Sequence, residues 1–250
     1  MTVVLETVGL NKRFGALTAT RDVSLRLEAG ARQALIGPNG AGKTTLINLL
    51  TGVLHADSGQ ILLAGHDISR AAPHRRARRG MARTFQISQL FADLSPLETV
   101  ALAVSERRGL GRQWWRALAA HAEVRDEAAT LLRRFGLGDA LDAHVGSLPY
   151  GKQRLLEIAI AIAGEPRVLL LDEPAAGVPE AERHEILSIV ATLPPSVAVL
   201  LIEHDMDLVF SFARRISVLV DGALFAEGPP DEVARDPRVR AAYLGEAAHG

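Results

Sequence analysis

Gly37-Pro38-Asn39-Gly40-Ala41-Gly42-Lys43-Thr44 is the stretch on which the reading of this chain turns. It fits the pattern G-x-x-x-x-G-K-[ST]. Glycines let a backbone curl so that its N–H groups point inward at phosphate oxygens. A lysine at the seventh place adds a mobile positive charge for β and γ phosphates, and the following hydroxyl can ligate Mg²⁺. The flanks suit this chemistry. Gln33 to Ile36 reads as a short strand running into the loop. Thr45 to Thr51 reads as a helix, with Leu46, Ile47, Leu49 and Leu50 apolar and Gly52 placed to stop it. Strand, Gly-rich turn and helix together place a helix N-terminus, with its positive dipole end, against the anion.

Upstream, Val23, Leu25 and Leu27 alternate with Ser24 and Arg26, the period of a half-buried strand, and Glu28-Ala29-Gly30 turns the chain. Downstream, Ile61 to Ala64 is a strand between Gly59 and Gly65. Ser95-Pro96-Leu97-Glu98 then opens a helix on three counts: a capping hydroxyl, Pro at the first helical position and Glu three residues after the cap. Helical patterning continues to about Ala163, broken near Gly109, Gly111 and Gly136 to Pro149. Val124, Ala128, Leu131, Leu132 and Phe135 share one helical face within Glu123 to Phe135. This middle section reads as a helical lobe inserted into an α/β core. Val168 to Leu171 and Val197 to Ile202 are continuous apolar strands, of the kind buried on both faces of a parallel sheet. Ile216 to Val220 and Ala223 to Ala226, joined by Asp221-Gly222, read as a hairpin.

Two of the apolar strands end in chemistry. The first runs into Asp172-Glu173. Such a pair is either a solvated acidic strand end or the Mg²⁺-holding half of a phosphate-loop site, with Glu173 placed to orient or deprotonate an attacking water. The second ends in His204. Alone, a histidine there is either structural or a contact for a γ-phosphate.

The bulk numbers bound the rest. Of 250 residues, 48% are hydrophobic and 23% charged, an ordinary globular composition with enough chain for a large core. Lys plus Arg (28) nearly balances Asp plus Glu (29), which gives no basic signal for nucleic acid. There is no cysteine, so disulfides and thiolate chemistry are excluded. No segment reaches the ~18 to 20 apolar residues of a spanning helix. Met1 to Leu10 carries Glu6 and lacks a basic start before an apolar run, so it does not read as a signal peptide. A soluble, cytoplasmic chain is expected, with any membrane role supplied by a partner. Arg70 to Arg83 holds six arginines and no acid, which reads as a solvated helix face or, alternatively, as an electrostatic contact with a membrane partner or anionic lipid. Trp114-Trp115 reads as packing in the lobe.

Taken together, the Lys43 loop, Gln86, Leu148-Pro149-Tyr150-Gly151-Lys152-Gln153-Arg154, Asp172-Glu173-Pro174 and His204 resemble, in order and spacing, the ATPases of ATP-binding cassette (ABC) transporters. The resemblance covers essentially the whole chain. It looks closest to the ATP-binding subunits of branched-chain amino-acid importers, through Arg83-Thr84-Phe85-Gln86, Glu173-Pro174-Ala175-Ala176-Gly177, Ile202-Glu203-His204-Asp205-Met206 and Ala242-Tyr243-Leu244-Gly245.

The resemblance implies a P-loop NTPase (RecA-like) α/β core with an antiparallel β-subdomain and an inserted α-helical subdomain. One ABC ATPase domain would span 1–250, with 1–94 and 164–250 as core and 95–163 as the helical part bearing the signature. ATP would be held by Phe14 and by Gly37, Pro38, Asn39, Gly40, Ala41, Gly42, Lys43, Thr44 and Thr45. Phe14 would stack on adenine; a core or surface aromatic is its plainer reading. Mg²⁺ would be held by Thr44, Gln86 and Asp172, and Glu173, His204 and Gln86 would serve catalysis. Tyr150, Gly151, Lys152 and Gln153 match the signature loop, which reaches the γ-phosphate bound by the other subunit of a dimer. The implied partners are a second ATPase subunit, same or homologous, two membrane permease subunits and a solute-binding protein, without nucleic acid, on the inner face of the membrane. A lipid or polysaccharide exporter, a small-molecule phosphotransferase and a soluble ABC switch protein are the competing readings. Two positions depart from the pattern. The signature usually carries serine where Pro149 stands, and the usual Asp after the catalytic segment aligns with Pro179. Both bear on whether the two composite sites of a dimer are equal.

Overall fold

The computed structural model describes residues 2–84, 90–110 and 122–244. Phe85, Gln86, Gly111, Trp114, Trp115 and Gly245 lie outside them. In chain order the strands are β1 (Val3–Phe14), β2 (Leu17–Val23), β3 (Arg26–Glu28), β4 (Arg32–Ile36), β5 (Ser58–Leu63), β6 (His66–Asp67), β7 (Met81–Arg83), β8 (Val168–Asp172), β9 (Ala198–Ile202), β10 (Arg215–Val220) and β11 (Ala223–Gly228). The helices are α1 (Lys43–Thr51), α2 (Pro73–Arg78), α3 (Pro96–Arg107), α4 (Ala122–Arg134), α5 (Tyr150–Ala163), α6 (Glu180–Ala191), α7 (Met206–Phe212), α8 (Pro230–Arg235) and α9 (Pro237–Leu244).

The chain forms two compact units. The first comprises Met1–Met81, Arg167–Glu173 and Pro194–Gly250, the second Ala82–Pro166 and Pro174–Leu193. The expected helical part was 95–163. The second unit begins at Ala82 and takes in Pro174–Leu193, where α6, which the sequence reading did not anticipate, packs on α5.

The first unit holds two sheets. One is antiparallel, ordered β2-β1-β5-β6 with β3 also on β1. The alternation of Val23, Leu25 and Leu27 is present, all three buried, but it does not make one strand. The chain breaks at Ser24-Leu25. There the buried Thr7 hydroxyl donates to Val23 O at 2.9 Å and accepts from Leu25 N at 2.8 Å, replacing ladder bonds.

The other sheet is ordered β11-β10-β4-β9-β8 within this unit. Its pairs β10–β4, β4–β9 and β9–β8 are parallel, and β4, β8 and β9 are buried along their whole lengths. Continuous apolar runs are what a sheet covered on both faces requires. Each fully buried Leu, Val or Ile contributes roughly 1.5–3 kcal/mol. Register puts Ser217, Leu35, Ile202 and Asp172 in one row across four strands. The C-terminal ends of β4, β9 and β8 therefore share one edge.

Arg70 to Arg83 is not simply a solvated face. Arg76 in α2 is 1% exposed and donates to Leu49 O and Leu50 O, both at 2.6 Å, to Ala71 O at 2.8 Å and to Ser69 O at 2.9 Å. Leu49 and Leu50 lie in the last turn of α1; Leu49 O also accepts from Gly52 N at 3.2 Å, and the buried guanidinium adds a second bond there and engages Leu50 O, one of the carbonyls a helix C-terminus leaves open.

In the second unit α3 begins with the expected capping box. Ser95 Oγ accepts from Glu98 N at 3.1 Å and Ser95 N donates to Glu98 Oε2 at 2.8 Å. Val124, Ala128 and Leu132 of α4 are buried, with Phe135 just beyond it. Arg107 bridges Glu127 and Glu165.

Candidate active site

The phosphate loop connects β4 to α1. Gly37 and Gly42 are both there for close approach. A Cβ on Gly37 would lie 2.1 Å from Leu219 O, and one on Gly42, at φ 100°, would lie 2.2 Å from Ala19 O. Gly40 differs: it has φ 77° but open space around it. The loop is thus wedged between β2 and the end of β10. The Asp221-Gly222 turn, with φ of 48° and 75°, buttresses it further. Gly222 N donates to Ala41 O at 3.0 Å, and Gly222 O accepts from Arg21 N at 2.6 Å. Positive φ at both central positions is the demand of a tight two-residue hairpin turn.

α1 has Gly42 at its N-cap, no side-chain cap and no acid in its first turn. No acid of its own first turn competes for its leading N–H groups, the arrangement in which a helix start receives an anion. Lys43 folds back over the loop and its ammonium donates to Gly37 O and, at 2.9 Å, to Pro38 O. Thr44 is exposed and Thr45 half-buried.

Across the shared edge, Asp172 ends β8 at 7% exposure. It is two strands from Leu35 in the same row, roughly 10 Å between backbones at the usual strand spacing, which is within reach of two side chains and an ion between them. Glu173 follows in the left-handed region, φ 48°, with its N–H still bonded to Ile202 O at 2.9 Å. A non-glycine residue held there stores strain, and such strain gathers at functional positions. His204 lies one strand over. Its Nδ1 is 3.6 Å from Glu173 Oε1 and 3.8 Å from Glu203 Oε2, and its side chain is 69% exposed. Among the described residues no group of three or more His, Cys, Asp or Glu could hold a metal by itself.

The model for the family described as "ABC transporter" matches residues 20–176, well over half of the chain. This chain is a member of the ABC transporter family. As an ABC ATPase it couples ATP hydrolysis to transport. A second model, "Branched-chain amino acid ATP-binding cassette transporter", matches residues 223–249. The chain is 40% identical to the high-affinity branched-chain amino acid transport ATP-binding protein BraF of Pseudomonas aeruginosa, over 98% of both chains. It is 39% identical to the corresponding protein LivG of Escherichia coli K12, again over 98% of both. Among solved structures, the ADP conformation of an ATP-binding cassette of an ABC transporter superposes with a TM-score of 0.86 at 31% identity, covering 98% of this chain and 100% of that one. No helix among the described residues of this ABC ATPase is long and apolar enough to cross a membrane.

Of the residues singled out from sequence, the first unit brings together the loop 37–45, Asp172, Glu173 and His204. Phe14 belongs to the same unit, at the tip of the β1–β2 hairpin. It is 46% exposed, with Lys12 Nζ 5.5 Å from its ring centroid, and Lys12 is anchored on Asp57 at 2.8 Å. Tyr150, Gly151, Lys152 and Gln153 belong to the second unit, on the first turn of α5. Pro149 is the N-cap of α5 and Pro179 that of α6, and neither makes a side-chain cap. Gln153 Nε2 reaches back to Leu148 O at 2.9 Å, and Lys152 pairs with Asp139 at 2.8 Å. The Tyr150 ring packs where a Cβ on Gly177 would be 3.2 Å away, with the Arg154 guanidinium 5.1 Å from its centroid. Gln86 lies outside the described residues. Sequence reasoning missed Arg76, Glu203 and the Gly222 buttress. Only Asp221-Gly222 carried a signal, and it was read as a turn and not as a support for the phosphate loop.

Proposed function

We propose that this ABC ATPase powers import of branched-chain amino acids or related small polar solutes through two separate membrane permease subunits. A solute-binding protein would deliver the cargo, and the ATPase would sit on the cytoplasmic face of the membrane, held there by the permeases. The kinship with BraF and LivG and the match over residues 223–249 support the substrate class.

The observation that carries the site assignment is the shared row of Leu35, Ile202 and Asp172, which sets the phosphate loop, the acidic pair and His204 at one sheet edge. Backbone N–H groups of residues 37–45 would cradle the phosphates, with Lys43 leaving its own loop carbonyls to engage the β and γ oxygens. Phe14, its ring already faced by Lys12, would stack on adenine. Thr44 offers a hydroxyl and Asp172 a carboxylate. Two oxygen donors completed by substrate phosphates and water form the donor set that Mg²⁺ favours, and Gln86 would add a third. The ion, when bound, neutralises charge developing on the phosphates. Glu173 would orient the attacking water and accept its proton, and His204 would contact the γ-phosphate. Tyr150 to Gln153 would do so in trans, from a second ATPase subunit of the same or a homologous chain. Catalysis of this kind is mainly positioning and charge stabilisation.

Glu173→Gln tests the assignment. It should keep ATP binding and remove nearly all turnover, because it keeps shape and loses the base. Steady-state hydrolysis at the native rate would defeat the role given to Glu173. Uptake of radiolabelled leucine in cells lacking the chain, set beside uptake of a sugar, tests the substrate class. Leucine uptake that survives loss of the chain while another solute's uptake fails would refute it.

A further inference from the structure

Glu203 is buried at 2% exposure, and the roles given above leave it unused. It ends β9 immediately before His204. A buried carboxylate is costly unless its oxygens are engaged. Here one oxygen, Oε2, faces two atoms of the same neighbour. It accepts from the His204 amide N–H at 3.2 Å and stands 3.8 Å from His204 Nδ1. Glu173 Oε1 approaches that same ring nitrogen at 3.6 Å.

The consequence is directional. Carboxylate oxygens accept and do not donate, so the ring nitrogen they bracket is the one that favours a proton. Which nitrogen of an imidazole carries the proton is set by the partner at one end, and this determines what the other end presents. With Nδ1 turned inward to two carboxylates, Nε2 is the outward end of a side chain that is otherwise exposed. Neither approach is a full hydrogen bond here. Catalytic contacts of this kind commonly tighten when substrate binds.

We propose that Glu203 is a positioning residue of this ATPase, holding both the backbone amide and the ring of His204 so that Nε2 is the nitrogen presented to the nucleotide. Glu203 acts on the reaction through His204. The inference rests on the reading of His204 as a nucleotide-facing group.

The test uses the full-length chain as wild type, Glu203→Met, His204→Ala and the double variant. MgATP hydrolysis gives kcat and KM, and a long-range proton–nitrogen spectrum reports which ring nitrogen of His204 is protonated. Glu203→Met should lower kcat about tenfold, a usual loss when a group orienting a functional imidazole is removed, and leave KM for ATP unchanged. In the His204→Ala background it should cost nothing more. The spectrum should show the proton on Nδ1 in the wild type and a shift toward Nε2 in the variant. An equal loss with and without His204, or an unchanged spectrum, overturns the proposal. Should Glu203→Met not fold, Glu203→Asp draws the carboxylate back by one methylene and takes over the spectral reading, with unchanged Nδ1 protonation again fatal. Native hydrolysis in His204→Ala would instead defeat the reading of His204 itself. Loss in His204→Ala with none in Glu203→Met defeats this proposal alone.

Discussion

Replacing Gly42 by alanine separates a glycine needed for space from one needed only for conformation. At Gly42 the new Cβ would stand 2.2 Å from Ala19 O, a backbone atom of β2, and at Gly40 it would meet nothing within 4 Å. Both positions have positive φ, 100° and 77°, so both substitutions pay a left-handed strain of about 1–2 kcal/mol. Gly40→Ala stops there. Gly42→Ala must also push β2 away, because a carbonyl in a sheet cannot swing aside as a side chain does. Arg21 N–Gly222 O and Gly222 N–Ala41 O tie β2 and the β10–β11 turn to the loop, and that movement breaks them. Two hydrogen bonds at about 1 kcal/mol each bring the total to about 3–4 kcal/mol. In a chain of this size that lowers Tm by roughly 6–16 °C, against roughly 2–8 °C for Gly40→Ala. Thermal unfolding monitored by circular dichroism measures both, and titration with a fluorescent ATP analogue measures the loop. Gly42→Ala should lose nucleotide binding along with stability. Equal losses at the two glycines, or a Gly42→Ala chain that binds ATP as the wild type does, would refute the close-approach reasoning.

Arg76→Leu should destabilise the first unit by about 3 kcal/mol or more, since it removes the hydrogen bonds to Leu49, Leu50, Ala71 and Ser69 O and leaves Leu49 O only its bond from Gly52 N; urea denaturation checks it, and a loss below about 1 kcal/mol would contradict the capping role. The Asp236 carboxylate is held down to about 2 by its hydrogen bonds from the Arg238 guanidinium and backbone. A folded value below the unfolded one contributes stability that is present above about pH 3.9 and fades as pH falls toward 2. Arg238→Ala should return Asp236 toward the ordinary aspartate value in a carbon-detected titration; an Asp236 midpoint that stays near 2 would show that Arg238 is not the cause.

The sequence alone specified several features that depend on neighbours along the chain. The Gly-rich loop between strand and helix, the Ser95 box, the Asp221-Gly222 turn and the apolar runs ending in Asp172-Glu173 and His204 are local demands. A positive φ, a capping hydroxyl or a doubly buried strand constrains residue type within a few positions, so each can be read directly. Tertiary structure decided what depends on pairing across the fold. Parallel register placed Asp172 two strands from the phosphate loop. The Thr7 hydroxyl split one alternating strand into two. Packing of α6 on α5 put Pro174–Leu193 in the same compact unit as the helices before β8. The same holds for Arg76 and Glu203: nothing in composition or periodicity distinguishes a buried arginine from its solvated neighbours, or a carboxylate bracketing an imidazole from a surface acid. Their burial is fixed by which distant backbone closes over them, and no residue adjacent in sequence encodes that.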